Sequence, residues 1–244
     1  GIEVFSTPFD RASVDFLESL GVNAYKIASM DLVNLPLIRH VARTQKPIIL
    51  STGMSSLGQI EEAVEVVRQE DNPNLVLLQC NSSYPAAPEE MNLNAIPALK
   101  HSFNVPVGLS DHTFGLFVAH TAIAIGADAV ERHFTLDRTF EGPDHILSSE
   151  PAEMAELVAM AGKMPAVLGD GGKRVQPNEY DTLNTQRKSL YAASDIGKGD
   201  TVTEDMVAIK GPGGGILPKY LELVVGRTAR RDIEEDFPIT WDDV

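Results

Sequence analysis

The sequence predicts an α/β fold built on a parallel sheet, followed by a small β-rich module. Three observations carry that reading. Strand-like and helix-like runs alternate through the first 165 residues, the signature of successive βαβ units. The strand-like runs are apolar on both faces, as in a parallel sheet covered by helices. The segments richest in polar side chains all follow the strands: Ser6-Thr-Pro-Phe9, Lys26-Ile-Ala-Ser29, Ser51-Thr-Gly-Met54, Asn81-Ser-Ser-Tyr-Pro85, Ser110-Asp-His112 and His133-Phe-Thr135. A TIM barrel produces that one-sided placement, with its chemistry on the loops at the C-terminal ends of the strands.

The elements follow in order. Strands are expected at Ile2–Ser6, Ala24–Ala28, Pro47–Ser51, Leu75–Cys80, Val105–Leu109 and Ala127–Phe134. Helices separate them at Arg11–Leu20, Leu35–Thr44, Leu57–Gln69, Asn94–Phe103 and Phe114–Gly126. Asp10 and Ser56 are placed to cap the first and third helices. Gly21-Val-Asn and Gly126-Ala-Asp supply turns just past helix ends. The acid-rich stretch Glu61–Glu70 reads as a solvated helix face.

Six units are two short of the eight a closed barrel needs. Either the sheet is doubly wound, or about two N-terminal βα units are lacking from this sequence. The second reading is favoured, so a partial (β/α) barrel over residues 1–168 is the expectation. Composition changes at Gly169-Asp-Gly-Gly-Lys-Arg174, and residues 169–186 read as a linker. Residues 187–244 alternate short strands with turns: Ser189–Ala193, Thr201-Val202, Met206–Lys210, Arg227–Arg231 and Ile239-Thr-Trp241, with a short helix at Leu217–Val225. The run Gly211-Pro-Gly-Gly-Gly215 lacks the context of a phosphate loop and reads as a turn.

Composition narrows the function. The chain has 244 residues, a hydrophobic content of 43%, one cysteine and a net charge of −15. The acidic balance argues against nucleic acid, which needs a basic face. Cys80 alone cannot build a disulfide framework, and a reducing compartment fits; it reads as a buried strand residue. No run approaches the ~18 apolar residues of a membrane span, and no leader pattern opens the chain. The expected setting is the cytoplasm, with no membrane or nucleic-acid partner.

His112 and His133 end successive strands and would face one mouth. Neutral imidazole is a common ligand of divalent metals, and Asp144 lies downstream in Gly142-Pro-Asp-His145. An open metal site in an α/β barrel is the expectation. Asp111 either orients His112 or closes a turn. Lys26 is either a surface lysine at a strand end or the Schiff-base lysine of a barrel aldolase. His40, His101 and His120 fall within helices and read as structural or exposed.

Seven motifs in order, Phe5-Ser-Thr-Pro-Phe-Asp10, Tyr25-Lys-Ile-Ala-Ser29, Ile49-Leu-Ser-Thr-Gly-Met54, Cys80-Asn-Ser-Ser-Tyr-Pro85, Gly108-Leu-Ser-Asp-His-Thr113, Glu131-Arg-His-Phe-Thr135 and Gly142-Pro-Asp-His145, resemble the sialic acid synthase family. That family covers N-acetylneuraminate, legionaminate and pseudaminate synthases, and the tail resembles their antifreeze-like SAF module. The resemblance implies a metal-dependent condensation of phosphoenolpyruvate with an N-acylated amino sugar, giving a nonulosonic acid and phosphate. It implies a divalent cation, typically Mn2+ with Mg2+ or Co2+ as alternatives, held by His112 and His133. It places Thr7, Lys26, Ser29, Ser51 and Ser110 around phosphoenolpyruvate, Tyr84 near the sugar, Ser82 in the substrate-binding set at a position where some N-acetylneuraminate synthases carry Asn, and Asp31 and Asp144 as acidic groups beside the metal and the sugar hydroxyls. It also implies a homodimer in which the SAF module covers the neighbour's site. Two departures stand out. The acidic residue after the family's first strand, and the lysine and glutamine after its second, have no counterpart here. Gly211 stands where the SAF module carries an arginine, and Lys210 points the other way along its strand. A different barrel lyase and an inactive binding or assembly unit are the alternatives.

Overall fold

A computed structural model describes the whole chain, Gly1–Val244. It divides into two compact units, Gly1–Asp170 and Gly171–Val244. The first unit runs α1 (Arg11–Ser19), β1 (Tyr25–Ile27), α2 (Leu35–Ala42), β2 (Ile48–Ser51), α3 (Leu57–Gln69), β3 (Leu75–Cys80), α4 (Ala95–Phe103), β4 (Val107–Asp111), α5 (Phe117–Ala124), β5 (Val130–Arg132) and α6 (Pro151–Leu168).

Local signals set the helices. The Asp10 side chain accepts from the Ser13 N–H and caps α1. Ser56 and Gln59 form a capping box at the start of α3, satisfying N–H groups that would otherwise be orphaned. Ile60, Ala63, Val64 and Val67 are buried on α3, a stripe at helical spacing. Gly126 ends the α5 region at φ +96°, a conformation open to glycine at little cost.

The five strands are parallel and lie in chain order, β1-β2-β3-β4-β5. A doubly wound sheet reverses direction at a switch point; this one never does. It is also strongly curled. Flat strands ~4.8 Å apart would put β1 and β5 roughly 19 Å from each other. Yet Lys26 Nζ on β1 lies 3.4 Å from Glu131 Oε1 on β5. The sheet is a half-barrel, and its concave side closes on itself.

The expected strand at Ile2–Ser6 does not form. Only Ser6 bridges to Tyr25, through the Lys26 N–H to the Ser6 carbonyl at 3.2 Å. Ile2 and Val4 are 93% and 79% exposed. The alternation is present, but the segment meets β1 only at its last residue and has nothing to pack on, so propensity alone does not hold it. The 18-residue helix α6 was not anticipated; it starts at Pro151 behind a Glu150–Glu153 capping box and packs along α5.

Side-chain alternation divides the sheet. Tyr25, Ile27, Ile48, Leu50, Leu75, Leu77, Val107 and Leu109 face the helices and form one core with α2, α3 and α4. Lys26, Ser51, Cys80, Ser110 and Glu131 face the concave side. Gly108 permits the tight approach of β4 to β5: a Cβ there would lie 2.3 Å from the Ala129 carbonyl oxygen.

The second unit carries α7 (Tyr180–Gln186), which lies within the stretch read as a linker, then β6 (Ser189–Ala192), β7 (Val207–Lys210) and the short helix α8 (Leu221–Val224). β6 and β7 pair antiparallel. The expected strands near Thr201, Arg227–Arg231 and Ile239 reduce to isolated bridges. Leu190, Ala192, Ile196, Val202, Ile216, Val224, Ile233 and Ile239 make a separate core. Lys210 pairs with Asp236 within this unit. No helix of either unit is long and apolar enough to cross a membrane.

Candidate active site

The C-terminal ends of all five parallel strands open into one cavity of about 300 Å³. Eight residues singled out in the sequence line it: Lys26, Ser29, Ser51, Ser82, Tyr84, Ser110, His112 and His133. Their convergence follows from period-2 alternation. Cys80 pairs in register with Ser110, and Ser110 with Glu131, so all three share the concave face. His112 and His133 lie two residues beyond Ser110 and Glu131, on the same side.

Three expected residues lie off the lining. Thr7 follows the Ser6 bridge at the sheet edge. Asp31 sits in a 3-10 turn, where its carboxylate accepts from Asn34 Nδ2 at 2.9 Å. Asp144 stands at the rim, its Oδ2 3.6 Å from His133 Nδ1. The sequence reading also missed a residue: Glu131 lines the cavity. It accepts from Ser110 Oγ at 2.8 Å and faces Lys26 at 3.4 Å. Its spacing of two from His133 was the available signal.

One side of the cavity suits an anion. Lys26 is its only lysine or arginine, and it is nearly buried. Ser29 Oγ accepts from the Gly53 N–H at 3.0 Å, and its hydroxyl lies beside the Cys80 thiol. Ser51 is 2% exposed, and its Oγ has no hydrogen-bond partner. A buried hydroxyl without a protein partner costs free energy, so Ser51 is suited to donate to a ligand acceptor.

The other side carries imidazoles. The His112 and His133 ring centroids are 5.3 Å apart, and Tyr84 stacks against His112 at 4.2 Å. His112 Nδ1 lies 2.7 Å from the Asn81 carbonyl oxygen. Donation there fixes the tautomer and leaves Nε2 as the ligating nitrogen, the usual arrangement of a metal-bound histidine. Burial, reinforced by neighbouring His112, holds the His133 imidazole below its ordinary value. Burial also acts to lower His112, but contact with Cys80 and the Asn81 carbonyl outweighs it and raises that group. Burial acts to raise the Cys80 thiol, and hydrogen bonds with His112, Ser29 and Ser110 bring it below its usual range. No three His, Cys, Asp or Glu side chains are gathered as a complete metal cage. The pair fits an open site with two protein nitrogens, the remaining positions falling to water or substrate oxygen. Asp111 does not touch His112; it accepts from the Thr113 N–H and hydroxyl and pairs with Arg132.

Comparison with known proteins gives the family. The NeuB family pattern matches residues 1–173, and the SAF domain pattern matches residues 187–244. The chain belongs to the NeuB family. An uncharacterized protein of Methanocaldococcus jannaschii is 47% identical over the whole of this chain and 72% of its own length. The N,N'-diacetyllegionaminic acid synthase of Campylobacter jejuni is 42% identical over 96% of this chain and 71% of that protein. Among solved structures, the N-acetylneuraminic acid (sialic acid) synthetase of Leptospira borgpetersenii is 38% identical with a TM-score of 0.70, covering 75% of this NeuB chain and 64% of that one.

Proposed function

We propose that this cavity condenses phosphoenolpyruvate with an N-acylated amino sugar to give a nonulosonic acid and phosphate. The observation that carries the reading is the polarity of the cavity: Lys26 with the hydroxyls of Ser29 and the unpartnered Ser51 on one side, two imidazoles on the other. An ammonium and several hydroxyl donors suit a carboxylate and a phosphate. His112 and His133 would hold a divalent cation, Mn2+ first and Mg2+ or Co2+ as alternatives. When bound, such a cation polarises a carbonyl as a Lewis acid. Tyr84, beside the imidazoles, borders the space left for the sugar, Ser82 lines the same cavity near Gly53, and Asp144 at the rim faces the sugar hydroxyls. The enol carbon attacks the open-chain aldehyde, water adds to the resulting cation, and phosphate leaves by C–O cleavage. Kinship with a diacetyllegionaminic acid synthase favours 2,4-diacetamido-2,4,6-trideoxymannose over N-acetylmannosamine. A homodimer, with the SAF module over the neighbour's site, belongs to the same reading.

The Schiff-base alternative is disfavoured by the pairing of Lys26 with Glu131 at 3.4 Å, which engages the amine with a carboxylate. Phosphate release from phosphoenolpyruvate with Mn2+ tests the choice. Release that needs the amino sugar and stops with a chelator supports condensation. Borohydride trapping of Lys26, with indifference to chelators, identifies an aldolase. Binding of Mn2+ and phosphoenolpyruvate without turnover leaves only a binding unit.

A further inference from the structure

We propose that the buried Asp111–Arg132 pair is a positioning device that clamps β4 to β5 and so holds the His112 and His133 imidazoles close enough to share one divalent cation. The inference rests on the metal reading above, and its test separates the two.

Asp111 and Arg132 are paired in register on adjacent strands. Alternation turns both away from the cavity, between the cavity-facing pairs Ser110–Glu131 and His112–His133. Their side chains are 0% and 1% exposed and ion-paired. Each guanidinium nitrogen is engaged: besides the Nη1 contact with Asp111, Nε donates to Ser149 Oγ at 2.8 Å and Nη2 to the Thr113 carbonyl at 2.9 Å. Asp111 accepts from the Thr113 N–H at 2.9 Å and its hydroxyl at 2.7 Å. His112 is thus bracketed by two residues of the clamp, Asp111 and Thr113. His133 is held likewise. It follows Arg132, and its carbonyl accepts from the N–H of Ser149 at 2.8 Å, the same Ser149 that Arg132 grips. Neither imidazole touches the clamp; the clamp fixes the backbone from which each projects.

Stability alone is a poor reason for such a pair. Buried ion pairs are costly to desolvate, and well-packed apolar replacements are often as stable. What an apolar pair lacks is direction: three guanidinium bonds lock β4, its exit loop and Ser149 into one geometry. Lysine would keep the charge and lose the fork.

Arg132→Lys is therefore the telling variant, with Ser149→Ala as the milder one should Arg132→Lys not fold. Mn2+ uptake, read by electron paramagnetic resonance, is expected to weaken roughly 10- to 100-fold in Arg132→Lys, the usual size of an outer-shell loss, and less in Ser149→Ala. Phosphoenolpyruvate affinity should fall less than Mn2+ affinity, because Ser110 alone of its expected contacts lies on a clamped strand, whereas Lys26 and Ser51 belong to β1 and β2 and Ser29 to the turn after β1. His112→Ala should lose uptake altogether. Parent-like Mn2+ affinity in both clamp variants, with His112→Ala inactive in binding, overturns the proposal. If the parent itself takes up no Mn2+, the metal reading fails and the clamp is judged without metal, by side-chain NMR of 15N-labelled histidines. Altered His112 and His133 signals in Arg132→Lys, with the other four of the six histidines unmoved, then support it. An unchanged His112 tautomer refutes it.

Discussion

The two faces of one sheet obey different rules. On the helix-facing side, Ile27, Ile48, Leu50, Leu77, Val107 and Leu109 are fully buried. On the concave side, residues one position away include a lysine, a glutamate, two serines and a cysteine, and the apolar Ile49 and Val76 are only half-buried. The same backbone supports both, since alternation sends neighbours to opposite faces. The lesson is a division of labour. The convex face supplies the burial that holds the fold, and the concave face can then carry groups that cost stability, such as the unpartnered Ser51 hydroxyl.

The largest effect expected from this contrast is on the convex face. Leu77→Ala removes a central core side chain and should cost about 2–5 kcal/mol of stability. Urea unfolding reads that loss directly. Where the variant remains folded, phosphoenolpyruvate affinity should match the parent. A loss of affinity out of proportion to the unfolded fraction would break the comparison, because it would couple the faces.

How much of this was legible in the sequence depended on the range of each signal. Asp10 and Ser56 were readable as caps because capping is local. The cavity residues were readable because they end their strands, where a parallel α/β fold collects its chemistry. Glu131 was passed over because the strands were read as apolar on both faces, although its spacing from His133 put them on one side. Ile2–Ser6 has a strand's alternation, but a strand also requires a neighbour, and only Ser6 reaches one. Helix α6 escaped because Leu157 is its only buried residue, so it shows little apolar periodicity. The Lys26–Glu131 contact depends on the curl of the whole sheet, and no local pattern encodes curl.

A middle-sized effect is expected on the concave face. Lys26→Ala removes the cavity's only lysine and should weaken phosphoenolpyruvate by ~1.5–3 kcal/mol, the worth of a charged hydrogen bond, or roughly ten- to a hundredfold in Kd. Stability should change by less than ~1 kcal/mol, since the Glu131 partner is 41% exposed and solvent screens the pair. Calorimetric titration alongside urea unfolding measures both quantities. A stability loss as large as that of Leu77→Ala, without loss of affinity, would make Lys26 structural.

The smallest effect is the sharpest, because it should change sign between the two measurements. Ser51→Ala deletes a hydroxyl that is buried and unpartnered without ligand. Removing an unsatisfied polar group is neutral or slightly favourable, so the free protein should hold its stability or gain up to ~1 kcal/mol. The same deletion takes one donor from the bound anion and should cost about 0.5–1.5 kcal/mol of phosphoenolpyruvate affinity. A residue serving only the fold cannot give that pair of results, since its loss would lower stability first. If both fall, Ser51 belongs to the scaffold after all. If stability holds and affinity is also unchanged, the anion does not reach the bottom of the cavity, and the orphaned hydroxyl is a cost the sheet bears without return.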